Sequence, residues 1–399
     1  MNQGSGQRPR VLVLGAGLSG LTLAALLDPE RVDVLVLEQD FPPGRSQQFH
    51  GVVAIDDLAA LDIISDPDRF HPVRQVDGDN LQSAVVEGWR TVPHGDLLAA
   101  LRQRVRALGI TIVSNQEEVD LLWRQGALNG VRTRPGGLTF EADLIVFADE
   151  SDPRLPEQIG LRPDWLPTEL MHLAKLRFNG APAEPDRVRT FTQPASWGSP
   201  GFGLVVPGAG AVTVKVAMLL EDEMATARHI SEYLDEILER ADVRAALHGL
   251  DRDAFVTEVV PIGGFERQHR FQCGRALVAN DLVGVTHPLN RDGYSTTLQF
   301  ARIAAATIND SVSHGGLSSR RLERYSDHMD EAFPRAAGLR RRNDRSPGPR
   351  PAWQWFSMPE LVPASGMTPV ANSAKLPAGP VAALQQRART LVPKRRTRM

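Results

Sequence analysis

The 399-residue sequence holds a single cysteine, Cys273, which excludes an internal disulfide and any cysteine-cluster metal centre and fits a reducing, cytoplasmic compartment. Cys273 itself reads as a small buried apolar residue. Ten histidines are present, but none falls into a His-Glu-x-x-His or comparable pairing, so no metal is expected. Net charge is scarce too: 45 basic residues against 48 acidic ones leave −3. With 42% hydrophobic and 23% charged residues, neither wholesale disorder nor a nucleic-acid partner is suggested. The leader MNQGSGQRPR lacks the apolar run and small-residue cleavage site of a signal peptide, and no internal repeat is visible. One apolar stretch, Val11 to Leu27, is long enough to suggest a membrane span, but three glycines at fixed offsets inside it point elsewhere.

The length predicts two or three domains. Arg10 to Leu14 reads as a short buried strand, GAGLSG as a turn, LTLAALLDPE as a helix stopped at Asp28-Pro29, and VDVLVLEQD as a second strand. A loop, FPPGRSQQFHG, precedes a mainly helical stretch through Leu61 and then a polar connector. GDLLAALRQRVRALGI predicts an amphipathic helix carrying Leu97, Leu98, Leu101, Val105 and Leu108 at helical spacing. Short strands continue to LIVFADE. Between about Leu161 and Gly264, alternating segments such as MHLAKLRF and AVTVKVAML, broken by Pro and Gly, predict an antiparallel sheet. One helix, roughly Met224 to His248, interrupts it. A buried strand RALVAND, a helix from about Ser295 to Ile308 and a last helix near Ser318 to Phe333 follow. From Arg335 on, the chain is rich in Pro, Ala and Arg; its basic clusters fit either a solvated tail or weak contact with an anionic membrane surface.

Gly15, Gly17 and Gly20 complete G-x-G-x-x-G between a buried strand and a helix, with an acidic residue, Glu38, ending the next strand. That context gives the motif its meaning. Gly15 makes the tight turn, Gly17 lets the backbone approach a pyrophosphate, and Gly20 allows close helix–strand packing. The phosphates would face the positive end of the helix dipole, and Glu38 is placed to accept hydrogen bonds from ribose hydroxyls.

The layout from GAGLSG and Glu38 through LIVFADE to RALVANDLVGVTHPLNRDGYSTTLQFARIAAATI resembles the FAD-dependent oxidoreductases related to p-hydroxybenzoate hydroxylase, geranylgeranyl reductase and the flavin halogenases. The resemblance covers about residues 10 to 334. It implies an α/β fold: a Rossmann-like FAD-binding domain split in sequence (1–160 and 265–334) with an inserted antiparallel-sheet substrate domain (161–264); the basic Pro-rich tail (335–399) lies beyond it. Asn280-Asp281, Pro288 and Arg291-Asp292-Gly293 occupy the family's third motif. Asp281 would then bind the FAD ribityl chain, and backbone N–H groups near Gly293 would face the flavin pyrimidine edge. Arg45 resembles an arginine that many relatives carry close to flavin or substrate.

The sequence departs from that pattern at several places. Glu150 replaces the glycine of an Asp-Gly pair near the pyrophosphate; two acidic groups about 4 Å apart repel by roughly 4 kcal/mol at an effective dielectric near 20. Pro153 stands where a serine is usual, His94 where relatives place an arginine, and Arg291 where the loop beside the flavin ring has its first glycine. Two functions follow. In one, FAD, reduced by NAD(P)H, serves a monooxygenase or C=C reductase that tailors a bulky apolar secondary metabolite such as a polyketide or isoprenoid. In the other, FAD is structural or lost and the pocket is a redox-neutral, Diels-Alder-type cyclase. Arg291 and His287 suit the second as donors toward a carbonyl, and Tyr294 serves either. Phe178, Phe191, Trp197 and Phe202 fall in the inserted domain, as pocket lining or core.

Overall fold

The computed structural model describes residues 8–38, 49–63, 70–78, 83–114, 118–134, 136–148, 154–161, 165–192, 202–261, 271–280 and 293–332. The chain runs β1 (Arg10–Leu14), α1 (Leu18–Leu26), β2 (Asp33–Leu37), β3 (His50–Ala54), α2 (Ile55–Ala59), β4 (His71–Asp77), β5 (Ser83–Pro93), α3 (His94–Ala107), β6 (Thr111–Val113), β7 (Glu118–Arg124), β8 (Ala127–Arg134), β9 (Thr139–Glu141), β10 (Leu144–Phe147) and α4 (Arg154–Gln158). It continues with β11 (Leu170–Asn179), β12 (Arg187–Thr192), β13 (Phe202–Gly208), β14 (Ala211–Leu219), α5 (Leu220–Thr226), α6 (Ile230–Glu239), α7 (Ala241–Ala246) and β15 (Asp251–Pro261). It closes with β16 (Gln272–Cys273), β17 (Ala276–Val278), α8 (Gly293–Ser313), α9 (Ser319–Leu322) and α10 (Arg324–Ala332).

RVLVL and LIVF offer no polar face to water, so β1 and β10 lie inside a sheet that is covered on both faces. Its order is β16-β17-β10-β1-β2-β6, parallel throughout except for the β16–β17 hairpin. α1, α3, α8 and the small β7-β8-β9 meander contribute side chains to the surrounding core. α3 buries Leu97, Leu98, Leu101 and Val105, as its periodicity predicts. On α8, Ala301, Ala304 and Ala305 are buried, and such small side chains let α1 lie close against it. Tyr325 of α10 donates to the Val278 carbonyl at 2.8 Å and so ties the last helix to the end of β17.

The second sheet has eight strands in the order β15-β11-β14-β13-β12-β4-β5-β3. Its pairings are antiparallel except for β12–β4, which is parallel. Three sequence expectations are corrected here. The stretch before Leu61 begins as β3 and keeps only a five-residue helix, α2, and the polar connector is the β4–β5 pair. Alternation in β4 is broken by a register shift between Val73 and Gln75, which hides the period-2 signal. Likewise the single helix expected over 224–248 is three pieces. Ala227, at φ 53, ends α5; His229 caps α6 by accepting from the Ser231 N–H; and Arg240 is extended between α6 and α7.

α6 lays Ile230, Tyr233, Leu234 and Ile237 over one face of this sheet, on Ala174, Leu176, Val214, Val216 and Met218. The opposite face turns toward α3 and α8. There Asp57 of α2 pairs with Arg302 of α8 at 2.5 Å, and the His50 N–H donates to Thr213 Oγ1 at 2.9 Å, so β3 is fastened over β14. Among the described residues no helix is long and apolar enough to cross a membrane.

Candidate active site

The glycine-rich turn has the geometry its spacing predicts. Gly15 sits at φ 108, a conformation that disfavours a side chain, and its N–H donates to the Leu37 carbonyl at 2.8 Å. A Cβ on Gly20 would lie 1.9 Å from the Gly15 carbonyl oxygen, so α1 can pack on the turn only with glycine there. A Cβ on Gly17 would meet nothing within 4 Å. Gly17 therefore borders open space at the head of α1, where it is the N-cap and offers no side-chain acceptor. The leading N–H groups of the helix are left for an outside anion. These features fit a dinucleotide pyrophosphate.

Glu38 stands beside the same turn. Arg102 of α3 donates to both of its carboxylate oxygens, one bond being 2.7 Å long, and Ser114 Oγ donates at 3.0 Å. Arg102 also reaches the Ala16 carbonyl at 3.4 Å, joining the carboxylate to the turn. Burial pushes the Glu38 carboxyl up, but the hydrogen bond and charge of Arg102, helped by Ser114 and Arg106, outweigh it and hold the carboxyl below its ordinary value. A carboxylate has about four acceptor positions and three are used, which leaves one for a ribose hydroxyl.

Where α3, α8 and the large sheet meet, His94 and Tyr294 form a pair: Nδ1 lies 3.0 Å from the phenol oxygen, with ring centroids 5.4 Å apart. Gly51 makes room for it, since a Cβ there would lie 2.3 Å from the Tyr294 ring. Burial pushes His94 down to about 4, with Lys175 and Lys215 adding to the shift and Glu258 opposing it. His94 is thus a neutral imidazole at physiological pH. His50 is likewise lowered to about 4 by burial, then by Arg177, Lys215 and His71.

Strand register puts these cations on one face. Met171 faces Leu219, Leu173 faces Ala217, Lys175 faces Lys215 and Arg177 faces Thr213 along β11 and β14, while Leu204 opposes Lys215 from β13. Like charges directly opposite each other repel. Glu258 relieves the pair through an ion pair with Lys175, and its own carboxyl, pushed up by burial, is brought below the usual range by Lys175 and Lys215. The Lys215 ammonium lies 5.9 Å from the Tyr294 ring centroid. The face grades from apolar, at Met171, Phe202, Ala217 and Leu219, to cationic beside the His94–Tyr294 pair.

Of the residues predicted from sequence, Gly15, Gly17, Gly20 and Glu38 are assembled around one turn, whereas Tyr294 belongs to a second cluster. Gly293 opens α8. Phe202 lies on the apolar part of the site-facing side, but Phe178 and Phe191 pack on the face covered by α6, with Arg240 4.3 Å over the Phe191 ring, and so are core. Arg45, Glu150, Pro153, Trp197, Asp281, His287, Pro288, Arg291 and Asp292, with the tail from Arg335, lie outside the described residues. Sequence reasoning missed His50, Lys175, Lys215 and Glu258. The signal was present in MHLAKLRF and AVTVKVAML, where a lysine occupies a strand position next to buried neighbours.

Residues 13–59 match the model of an NAD(P)-binding Rossmann-like domain. Over 358 residues the chain is 23% identical to protein FixC of Azotobacter vinelandii, with 82% of each chain covered. It is 22% identical to digeranylgeranylglycerophospholipid reductase 1 of Methanothermobacter thermautotrophicus over 79% of this chain and 80% of that one. Among solved structures, a geranylgeranyl bacteriochlorophyll reductase-like protein of Thermoplasma acidophilum superposes with a TM-score of 0.69 at 17% identity, covering 89% of this chain and 88% of that one. The fold, the glycine turn with its acidic partner and these likenesses along most of the chain agree with the resemblance to the FAD-dependent oxidoreductases.

Proposed function

We propose that the chain is an FAD-dependent reductase or monooxygenase that uses NAD(P)H and acts on a bulky, mainly apolar molecule of the isoprenoid or polyketide kind. The observation that carries the cofactor half is the open space at Gly17, enclosed by the Gly15 turn and Glu38. Gly15, Gly17, Gly20 and Glu38 would hold the adenosine diphosphate portion, and bound FAD would supply two-electron redox chemistry. The substrate half is supported by the graded face of the large sheet and by the reductases of isoprenoid chains among the similar proteins.

The chain's own part in the reaction is orientation and proton supply. Apolar side chains at Met171, Phe202, Ala217 and Leu219 would seat the substrate body. With its Nδ1 protonated, neutral His94 donates to the Tyr294 oxygen, so the phenol proton is not engaged by His94; in the other tautomer it is. Tyr294 is thus placed as proton donor, with Lys215 stabilising negative charge that develops beside it.

The deciding experiment is the visible spectrum of the purified protein with excess FAD, followed anaerobically by NAD(P)H and then dithionite. A flavin band that bleaches with NAD(P)H is the expected result. A protein that refuses FAD, or a band that dithionite cannot bleach, would overturn the redox reading and leave the cyclase.

A further inference from the structure

On the far side of the large sheet, away from the turn and the His94–Tyr294 pair, three metal-ligating side chains from three elements converge. His172 projects from β11 on the face that carries Ala174 and Leu176 toward α6; Glu223 comes from α5 and His229 caps α6. His172 Nδ1 is 2.6 Å from Glu223 Oε2, and His229 Nε2 is 3.7 Å from Glu223 Oε1. One donor atom from each residue lies within 4.8 Å of the other two. The two imidazole rings stand edge to face at 84° with centroids 5.5 Å apart. Among the described residues the other side-chain contacts of the trio are the Ile230 N–H, which donates to Glu223 Oε1 at 3.2 Å, and Ser231, whose hydroxyl is 2.8 Å and whose N–H is 3.2 Å from His229 Nδ1.

We propose that His172, Glu223 and His229 bind one divalent transition-metal ion of the zinc class. Two imidazole nitrogens and a carboxylate form a donor set that zinc accepts, with bonds of about 2.0–2.2 Å. Tetrahedral bonds of that length set donors roughly 3.3 Å apart, so the His172–Glu223 gap must open and the wider ones close by about an ångström. The metal takes the place of the direct His172–Glu223 hydrogen bond. Its other contacts lie in place: coordination through Nε2 puts the His229 proton on Nδ1, which then donates to Ser231 Oγ at 2.8 Å instead of accepting from the Ser231 N–H, and the Ile230 N–H orients Glu223. His172 and Glu223 are largely enclosed while His229 is half exposed, at 49%, so an ion has an entry path and water can complete the coordination. The bound ion would staple the α5–α6 junction to β11. The sequence expectation of no metal rested on short-range spacing, and His172 precedes Glu223 by 51 residues.

The test uses the untagged full-length chain, stripped with a chelator and titrated first with Co2+ as a spectroscopic probe and then with Zn2+. One equivalent of Co2+ should give a visible ligand-field band that Zn2+ abolishes, and Zn2+ should raise the melting temperature. Glu223→Gln and His229→Asn, the latter retaining a capping side chain, should weaken Zn2+ binding by at least the roughly 10- to 100-fold that loss of an outer-shell partner produces. No Co2+ band, or both variants binding Zn2+ as tightly as the parent, would overturn the site and leave a hydrogen-bonded structural trio. Neither result depends on flavin content, so this proposal and the redox reading stand or fall separately.

Discussion

A single methyl group separates the roles of two glycines in the same turn. At Gly20 it would overlap the Gly15 carbonyl, so Gly20→Ala should destabilise the chain by about 1–3 kcal/mol or more, as overpacking does, seen as a lower urea midpoint with or without FAD. At Gly17 the added group enters open space. Gly17→Val should therefore leave the melting temperature of the flavin-free protein nearly unchanged while abolishing FAD retention on gel filtration; equal flavin content in variant and parent would remove this turn from the cofactor site. Both roles were legible in the sequence, because a fixed spacing between strand and helix dictates them. The His94–Tyr294 pair was not, since 200 residues separate its members and only the fold joins them. Phenylalanine at position 294 leaves the His94 Nδ1 without this partner, and a double-mutant cycle between the two positions should return a coupling of about 0.5–3 kcal/mol. A coupling near zero would make the contact incidental.

At the level of elements, regular periodicity was readable and interrupted periodicity was not. α3 was placed by Leu97, Leu98, Leu101 and Val105, and β11 and β14 by alternation. β4 escaped because its register slips at Val73, and α5–α7 merged because Ala227 and Arg240 break the helix without proline or glycine. The edges of β3 and α3 also carry the pH response. His50 and His94 titrate near 6.5 when unfolded and at about 4 when folded, so below pH 6.5 the unfolded chain takes up protons first. Their contribution to stability is complete above pH 6.5 and is lost as pH falls from there toward 4. Urea midpoints should drop between pH 7 and pH 5, and His94→Asn should flatten that drop; the same slope in parent and variant would exonerate His94.

For the molecule as a whole, the division into a split cofactor domain and an inserted domain captures the parallel sheet but not the ownership of the large one. Five of its strands follow Leu161, whereas β3, β4 and β5 come from residues 50–93. No composition shift in the sequence marks that sharing. A fragment spanning 165–261 would lack the partner of β12 and should aggregate on gel filtration through that unpaired edge; a stable monomeric fragment would show that the sheet closes without β4.

The β4–β12 pairing also sets a schedule for synthesis. β4 leaves the ribosome roughly 110 residues before its parallel neighbour, a wait on the order of 5–20 s at cellular elongation rates. Throughout that interval the nascent chain displays a strand edge that only later sequence can cover. Such a chain is a natural client for ribosome-associated chaperones, and its yield in a heterologous host will depend on how fast it is translated between residues 77 and 187.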